Sequence, residues 1–256
     1  MDEKIKPLLA NYLIAIGDDE LILGHRDSEW CGHAPILEED IAFANISLDE
    51  IGHARLWFEL AASLLGEDPK TFPDQLAFYR DWDKFRSIQM AALPKGDWAF
   101  TMLRQFFFDS FENLRLEGLA ESAYPPIAQA AAKIRNEEVY HLRHTAAWVP
   151  RLGLGTQESG RRMQIALEAL WPFAFQLGVP LAGESELAAQ GLVPAADALR
   201  HKWLEIMGNA MQEVGLAIPE IGVPAVVDRS VQSEDLRQLL LEMQEVPRQH
   251  PREVRW

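Results

Sequence analysis

Two Glu-x-x-His pairs and two separate acids, spread over four stretches of the chain, constrain the fold more than any other feature. The six residues are Glu20, Glu50, His53, Asp109, Glu138 and His141. A Glu and a His three residues apart on a helix lie on one face and can reach the same ion. Two such pairs, with one further acid on each of two other helices, form the inward-facing ligand pattern of four-helix bundles that hold two metal ions. The sequence therefore predicts four core helices that converge on these side chains.

All six residues fall within apolar stripes whose members are three and four residues apart, which is the spacing of a helix face that packs in a bundle. The stripes are Leu9, Leu13, Ile16, Glu20 and Leu23; Phe43, Ile46, Glu50, His53, Trp57 and Leu60; Met102, Phe106, Asp109, Asn113 and Leu116; and Ala131, Ile134, Glu138, His141, Thr145 and Trp148. We therefore expect the six candidate ligands to point into the core rather than toward solvent.

Carboxylates in such positions need a positive partner. An ionised carboxylate that is buried without one costs several kcal/mol, and four of them also repel one another. Two divalent or trivalent ions would neutralise the acids, and a mixture of imidazole and carboxylate ligands suits iron or manganese. We expect one ion at Glu20, Glu50 and His53, and the other at Asp109, Glu138 and His141. One or both glutamates of the pairs would bridge the two ions.

Two alternatives to this ligand set stay open. A chain with 39 acidic residues and 7 histidines produces a single Glu-x-x-His pair on a solvated face easily, and one short motif is weak evidence. Two pairs and two acids in register with the stripes favour the metal site. On the third helix Glu112, one turn from Asp109, is an alternative ligand.

Composition restricts the remaining possibilities. The 256 residues are 48% hydrophobic and can bury a substantial core. The single cysteine, Cys31, excludes an internal disulfide framework, as expected in a reducing cytoplasm. The start lacks the order of a secretion signal, and no apolar run reaches the roughly 20 residues that span a bilayer.

The net charge of −15 argues against a broad nucleic-acid or anionic-membrane surface, although a few basic residues can still form a local pocket for an anionic small molecule. We expect a soluble cytoplasmic protein without nucleic-acid or membrane partners.

The order of helical patterns predicts an all-α fold in one domain, with a core bundle at about residues 5–152 and a helical extension at about 156–256. The four core helices are expected at about 7–26, 36–65, 97–123 and 126–151. The connection from 66 to 96 carries short helices at most, and such a long crossover is known in ferritin-like bundles. Two more helical stretches follow between 156 and 217, and a short last helix lies near 233–244.

Several short stretches outside the ligand set are specific in combination. They are Gly17-Asp-Asp19, Ser28-Glu-Trp-Cys-Gly-His-Ala-Pro35, Asn45-Ile-Ser-Leu-Asp49, Gly52-His-Ala-Arg55, Tyr140-His-Leu-Arg143, Glu242-Met-Gln244 and the final Trp256. With these stretches the chain resembles, over nearly its whole length, the ferritin-like components of the bacterial phenylacetyl-CoA epoxidase, and most closely the C subunits of that family. This enzyme is a multicomponent ring monooxygenase of phenylacetate catabolism.

The resemblance implies a ferritin-like bundle and a role as the structural partner of the catalytic A subunit. In that family the A subunit carries the di-iron centre and binds the CoA thioester, and a separate reductase supplies electrons. Typical C subunits have lost part of the ligand set, whereas this chain keeps all six residues. Two other functions therefore stay open: a C subunit with its own working di-iron or di-metal site, and an iron oxidation or storage protein of ferritin type. The helices after residue 155 speak against the latter. Without the A subunit, the chain could also associate with itself through the surface that faces the partner.

Overall fold

The computed structural model describes residues 2–220 and 228–250, and within these ranges the chain is helical, with no strand. The all-α prediction is confirmed, whereas Trp256 and the end of the predicted extension lie outside the described residues. The α-helices are α1 Ile5–Ser28, α2 Leu37–Leu65, α3 Phe72–Phe78, α4 Gln89–Ala92, α5 Trp98–Ala120, α6 Pro125–Gly153, α7 Gln157–Ala174, α8 Glu184–Ala189, α9 Ala196–Glu213, α10 Glu234–Met243 and α11 Glu245–Arg248. Short 3-10 turns lie at Trp82–Lys84 and Phe175–Gly178. No helix in the described ranges is long and apolar enough to cross a membrane.

The four long helices α1, α2, α5 and α6 form two packed pairs, α1 with α2 and α5 with α6. Local sequence sets where these helices begin and end. Asp97 caps α5 by accepting a hydrogen bond from the backbone N–H of Phe100 at 3.0 Å. Gly66 ends α2 in the left-handed conformation at φ 77°. Helix α5 ends at Ala120, three residues before the predicted boundary, because the chain must turn before Pro125 opens α6.

Helices α1 and α2 approach each other closely at two glycines of α1. A Cβ atom on Gly24 would lie 2.8 Å from the Cβ of Glu50 and 3.0 Å from the carbonyl oxygen of Ser47. The Ser47 hydroxyl also donates a hydrogen bond to the carbonyl oxygen of Gly24 at 2.6 Å. About two turns earlier, a Cβ on Gly17 would meet the ring of Phe58 at 2.6 Å. These close contacts fix the position of Glu50 along the axis of α1.

Helix α5 is buried on every side, since every residue from Thr101 to Glu112 is shielded from solvent. Helix α6 covers one side, and α7 and α9 cover the other. The indoles of Trp171 and Trp203 stack at 5.8 Å between ring centroids, and Phe107 meets both edge-on. The Trp203 indole N–H also donates to the carbonyl oxygen of Phe107 at 3.0 Å. A helix that is enclosed all round can present polar side chains to the core only where a partner meets them.

We expect Gly24→Ala to lower the free energy of unfolding by about 1–3 kcal/mol, because the new methyl group forces α1 away from α2. Urea denaturation would measure this change. Gly208→Ala is the matched control: Gly208 is also helical, and a Cβ there meets open space, so alanine should stabilise the chain by up to about 1 kcal/mol. Equal effects of the two substitutions would contradict the close approach of the helices.

Candidate metal centre

The structure brings all six predicted ligand side chains together between α1, α2, α5 and α6. Their ligand atoms form two groups, each within 4.8 Å: Glu20, Glu50, His53 and Glu138, and Glu50, Asp109, Glu138 and His141. The six side chains are almost completely shielded from solvent. Both glutamates of the Glu-x-x-His pairs belong to both groups. This is the arrangement expected for two ions with two bridging carboxylates, and ligation itself stays a prediction.

Both histidines turn the Nδ1 atom of the ring toward the carboxylates. Nδ1 of His53 lies 3.3 Å from Oε1 of Glu138 and 3.7 Å from Oε2 of Glu20. Nδ1 of His141 lies 3.1 Å from Oε1 of Glu138 and 3.6 Å from Oε1 of Glu50. The two imidazole centroids are 6.0 Å apart. The rings therefore flank the carboxylates with one nitrogen each available inside the cluster.

The other ring nitrogen of each histidine contacts an acid outside the six predicted ligands. Nε2 of His53 lies 2.8 Å from Oε2 of Glu137, and Nε2 of His141 lies 3.2 Å from Oδ2 of Asp49. Each histidine is therefore held by an acid from the opposite helix, and the two contacts connect α2 with α6. Such an outer carboxylate fixes the orientation of a ligating imidazole and leaves the inner nitrogen for the metal. The position immediately before each Glu-x-x-His pair was the signal that could have identified both acids.

Two neutral side chains hold the remaining carboxylates. The Gln105 amide donates to Oε1 of Glu50 at 2.8 Å and to Oδ1 of Asp109 at 2.9 Å. The Thr145 hydroxyl donates to Oδ2 of Asp109 at 2.8 Å. Gln105 lies one turn before Asp109 on α5, and Thr145 belongs to the predicted stripe of α6. Helical spacing could have found both, but nothing in the sequence marks their contacts.

Several buried atoms of the cluster have no hydrogen-bond partner within the described ranges. They include both carboxylate oxygens of Glu20, one oxygen each of Glu50 and Glu138, and Nδ1 of His53. Buried polar atoms are nearly always satisfied in folded proteins. These atoms converge on the same space, and carboxylate and imidazole donors together suit iron or manganese. The residues present therefore fit two such ions.

Burial and mutual repulsion shape the protonation of the cluster. Burial, followed by the nearby charge of Glu138, raises the pKa of Glu50 and of Asp109. Burial alone would lower the pKa of His53, but the nearby carboxylates of Glu138 and Glu20 raise it to about 11. Burial alone would raise the pKa of Glu138, but the neighbouring His141 and His53 lower it to about 2. Protons thus take the place of cations in the metal-free cluster, and metal binding must release them.

Glu112, the alternative ligand on α5, lies outside both groups of candidate ligands. Its Oε2 is 2.8 Å from Nη1 of Arg115, and the same guanidinium nitrogen is 3.8 Å from Oδ2 of Asp19. Burial raises the pKa of Glu112 to about 8, although Arg115 acts in the opposite direction. Glu112 therefore already has a cationic partner of its own, which favours Asp109 as the ligand from this helix.

Metal-free protein should lose stability as the pH rises from 6.5 to about 9. The pKa of His53 is raised from 6.5 to about 11 in the folded chain, so the folded state keeps a proton that the unfolded state releases over this range. The stabilisation is complete below pH 6.5 and is lost toward pH 11. Urea denaturation of chelator-treated protein should show a loss of at least about 1 kcal/mol. His53→Gln should reduce this dependence on pH, whereas replacement of the exposed His201 should not; equal slopes in both variants would contradict the assignment.

Removal of the Glu20 charge should stabilise metal-free protein by about 1 kcal/mol. Neither of its buried oxygens accepts a hydrogen bond in the described residues, and its contact with Nδ1 of His53 is long, at 3.7 Å. The same Glu20→Gln variant should bind metal at least about tenfold more weakly. Asp19→Asn is the matched control on the preceding residue. It leaves Arg229, now 2.8 Å from Oδ2 of Asp19, without its buried partner and should cost about 3–5 kcal/mol. Calorimetric unfolding and metal titration would test both variants, and a destabilised Glu20→Gln protein would contradict the unpaired charge.

Comparison with known proteins agrees with the resemblance seen in the sequence. The model of a family described as phenylacetic acid catabolic protein matches residues 1–256. The chain is also similar to the C subunit of 1,2-phenylacetyl-CoA epoxidase from Escherichia coli strain K12. The two are 37% identical over 244 residues, which cover 95% of this chain and 97% of that relative. Both matches extend through the core helices and the helices that follow them, so the chain belongs to the phenylacetic acid catabolic protein family.

Proposed function

We propose that this chain works in the cytoplasm as one component of a phenylacetyl-CoA epoxidase, mainly as the structural partner of a catalytic A subunit. The observation that carries this proposal is the similarity to an epoxidase C subunit over 95% of the chain. Substrate oxidation would then take place on the A subunit, with electrons from a separate reductase. The present chain would contribute helical surface to the complex.

We further propose that the chain holds two iron or manganese ions of its own. Two observations support this second role: the Glu20 oxygens accept no hydrogen bond in the described residues, and two glutamates are shared between both groups. When bound, a pair of redox-active ions supplies the chemistry of oxygen activation. The protein itself would orient the imidazoles through Glu137 and Asp49, hold Asp109 through Gln105 and Thr145, and exclude bulk water by burial.

Iron storage of ferritin type is less well supported. A storage protein of four core helices would leave the outer side of α5 to a neighbouring chain or to solvent. Here α7 and α9 cover that side, with Trp203 bonded to the backbone of Phe107. The additional helices fit a specialised component of a complex better than a storage shell.

Metal content tests the proposed site. Protein produced with ample iron should contain about two metal ions per chain by plasma mass spectrometry. The double variant Glu50→Ala, His141→Ala should contain none, because it removes a shared carboxylate and one of the two imidazoles. His201→Ala, which removes an exposed histidine from α9, should keep the wild-type content. Absence of metal from the wild-type chain would refute the second proposal and leave the structural role intact.

Reconstitution separates the two roles. The chain, co-expressed with the A subunit, should co-purify with it as a hetero-oligomer, and the complex should epoxidise phenylacetyl-CoA when the reductase is added. If the role is structural, complexes that contain the Glu50→Ala, His141→Ala variant should keep full activity. If the second site takes part in turnover, kcat should fall at least about tenfold. Failure to form a complex with the A subunit would contradict the first proposal.

A further inference from the structure

A second feature of the molecule is a cavity of about 640 Å³ between α1, the connection that follows α3, and residues 179–182 and 228–230. Its size is within the range of small-molecule pockets. The basic side chains in its lining are Arg80, Lys84, Arg86 and Arg229, and the lining contains one acid, Asp228. Three of these cations are already paired with acids: Arg80 with Asp18, Arg229 with Asp19, and Lys84 with Asp83. Within the described ranges, the guanidinium of Arg86 is the positive charge of the lining that forms no ion pair. A cavity of this kind favours anions.

Two polar side chains in the wall of the cavity each keep one donor group without an acceptor in the described residues. Arg229 is 5% exposed; its Nη1 donates to Oδ2 of Asp19 at 2.8 Å, and its Nε has no acceptor in the described part of the chain. Tyr12 is 3% exposed and lines the same cavity. Its hydroxyl forms no hydrogen bond within residues 2–220 and 228–250, and it does not belong to the fully enclosed unpaired atoms. Buried donors without acceptors cost stability unless a ligand or water satisfies them. Both groups are donors, as an oxyanion requires.

The basic side chains are held in place by contacts that do not use all their donors. Arg80 forms an ion pair with the buried Asp18 and lies over the ring of Phe85, 4.1 Å from its centroid. Arg86 is half-buried; its Nη1 donates to the backbone carbonyls of Asp83 and Phe85. Within the described ranges Arg86 forms no ion pair, although, after local hydrogen bonds, its charge also contributes to the lowered pKa of Asp228 in the same lining. A fixed guanidinium with spare donors is a preorganised site for a carboxylate or a phosphate.

The other walls of the cavity are apolar. They include Leu8 and Ile14 of α1, Leu76 of α3, and Val179 and Leu181 of the segment before α8. A small inorganic ion would leave this surface in contact with water. A ligand with an apolar body would cover it and gain the free energy of burying apolar area.

We propose that this cavity binds an amphiphilic oxyanion, a small molecule with a carboxylate or phosphate group on an apolar body. The oxyanion accepts hydrogen bonds from Arg86, Arg229 and the Tyr12 hydroxyl, and the apolar body lies against Leu8 and Leu181. The site is separate from the candidate metal centre. Tyr12 precedes Glu20 by eight residues of α1, a rise of about 12 Å.

Phenyl phosphate and benzoate are suitable probes, since each carries an oxyanion on an aromatic ring. Isothermal titration calorimetry on the full chain at low salt should detect binding of at least one of them, and their relative affinities identify the preferred oxyanion. Inorganic phosphate and benzyl alcohol, which lack the ring and the charge respectively, should each bind at least tenfold more weakly. Added salt should weaken the binding, because the site is charged and open to solvent.

Arg86→Gln and Tyr12→Phe should each weaken binding of the better probe about tenfold, the effect of one lost charge-assisted or buried hydrogen bond. Neither substitution removes a side-chain partner of Asp18 or Asp19, so the fold should be preserved, and thermal unfolding without ligand would verify this. Lys202→Gln, at an exposed position of α9 away from the cavity, is the control and should bind like the wild type. Absence of binding by both probes, unchanged affinity in both cavity variants, or equal affinity for inorganic phosphate would overturn the proposal.

Discussion

The burial of three consecutive acids on α1 is the constraint on which the rest of the structure depends. Asp18, Asp19 and Glu20 are all completely shielded from solvent. Successive residues on a helix point about 100° apart, so each acid needs a compensating group from a different direction. Arg80 meets Asp18 from the connection after α3, and Arg229 meets Asp19 from the far end of the chain. These ion pairs position segments that have little regular structure of their own. Glu20 alone turns inward, toward the carboxylates and histidines of the other core helices.

The same reasoning applies to α5, where Asp109 turns toward the candidate metal centre while the opposite face must also be covered. A plain four-helix bundle would leave that face open. Helices α7 and α9 close it with stacked indoles, and Trp203 bonds directly to the backbone of Phe107. The candidate metal centre and the later helices are therefore parts of one arrangement: a central helix can bury acids on one side because apolar packing stabilises the other.

Helical periodicity was sufficient to predict the fold class, the four core helices and the inward direction of Glu20, because both the ligand spacing and the apolar stripes repeat with the helix. Periodicity could not predict which side chains meet across the fold. The pair of Asp19 and Arg229 joins residues 210 positions apart, and nothing local marks either partner. The acids that contact the outer nitrogens of the histidines could be located in part. Asp49 directly precedes a Glu-x-x-His pair, so the sequence could indicate that it lies near the site. Its contact with His141 of the opposite pair could not be predicted.

The energetic cost of the cluster supports the proposal that the working protein holds cations. A chain that served only as a scaffold would be more stable with neutral side chains at Glu20, Glu50 and Asp109, since buried carboxylates without cations must hold protons or repel one another. This chain keeps those acids and adds Glu137 and Asp49, which orient the imidazoles and have no evident value for packing, since both are partly exposed. Outer carboxylates of this kind fix the orientation of a ligating imidazole and leave its inner nitrogen for a metal ion. Local features that oppose stability occur mainly where function requires them, and here they coincide with the complete set of predicted ligands.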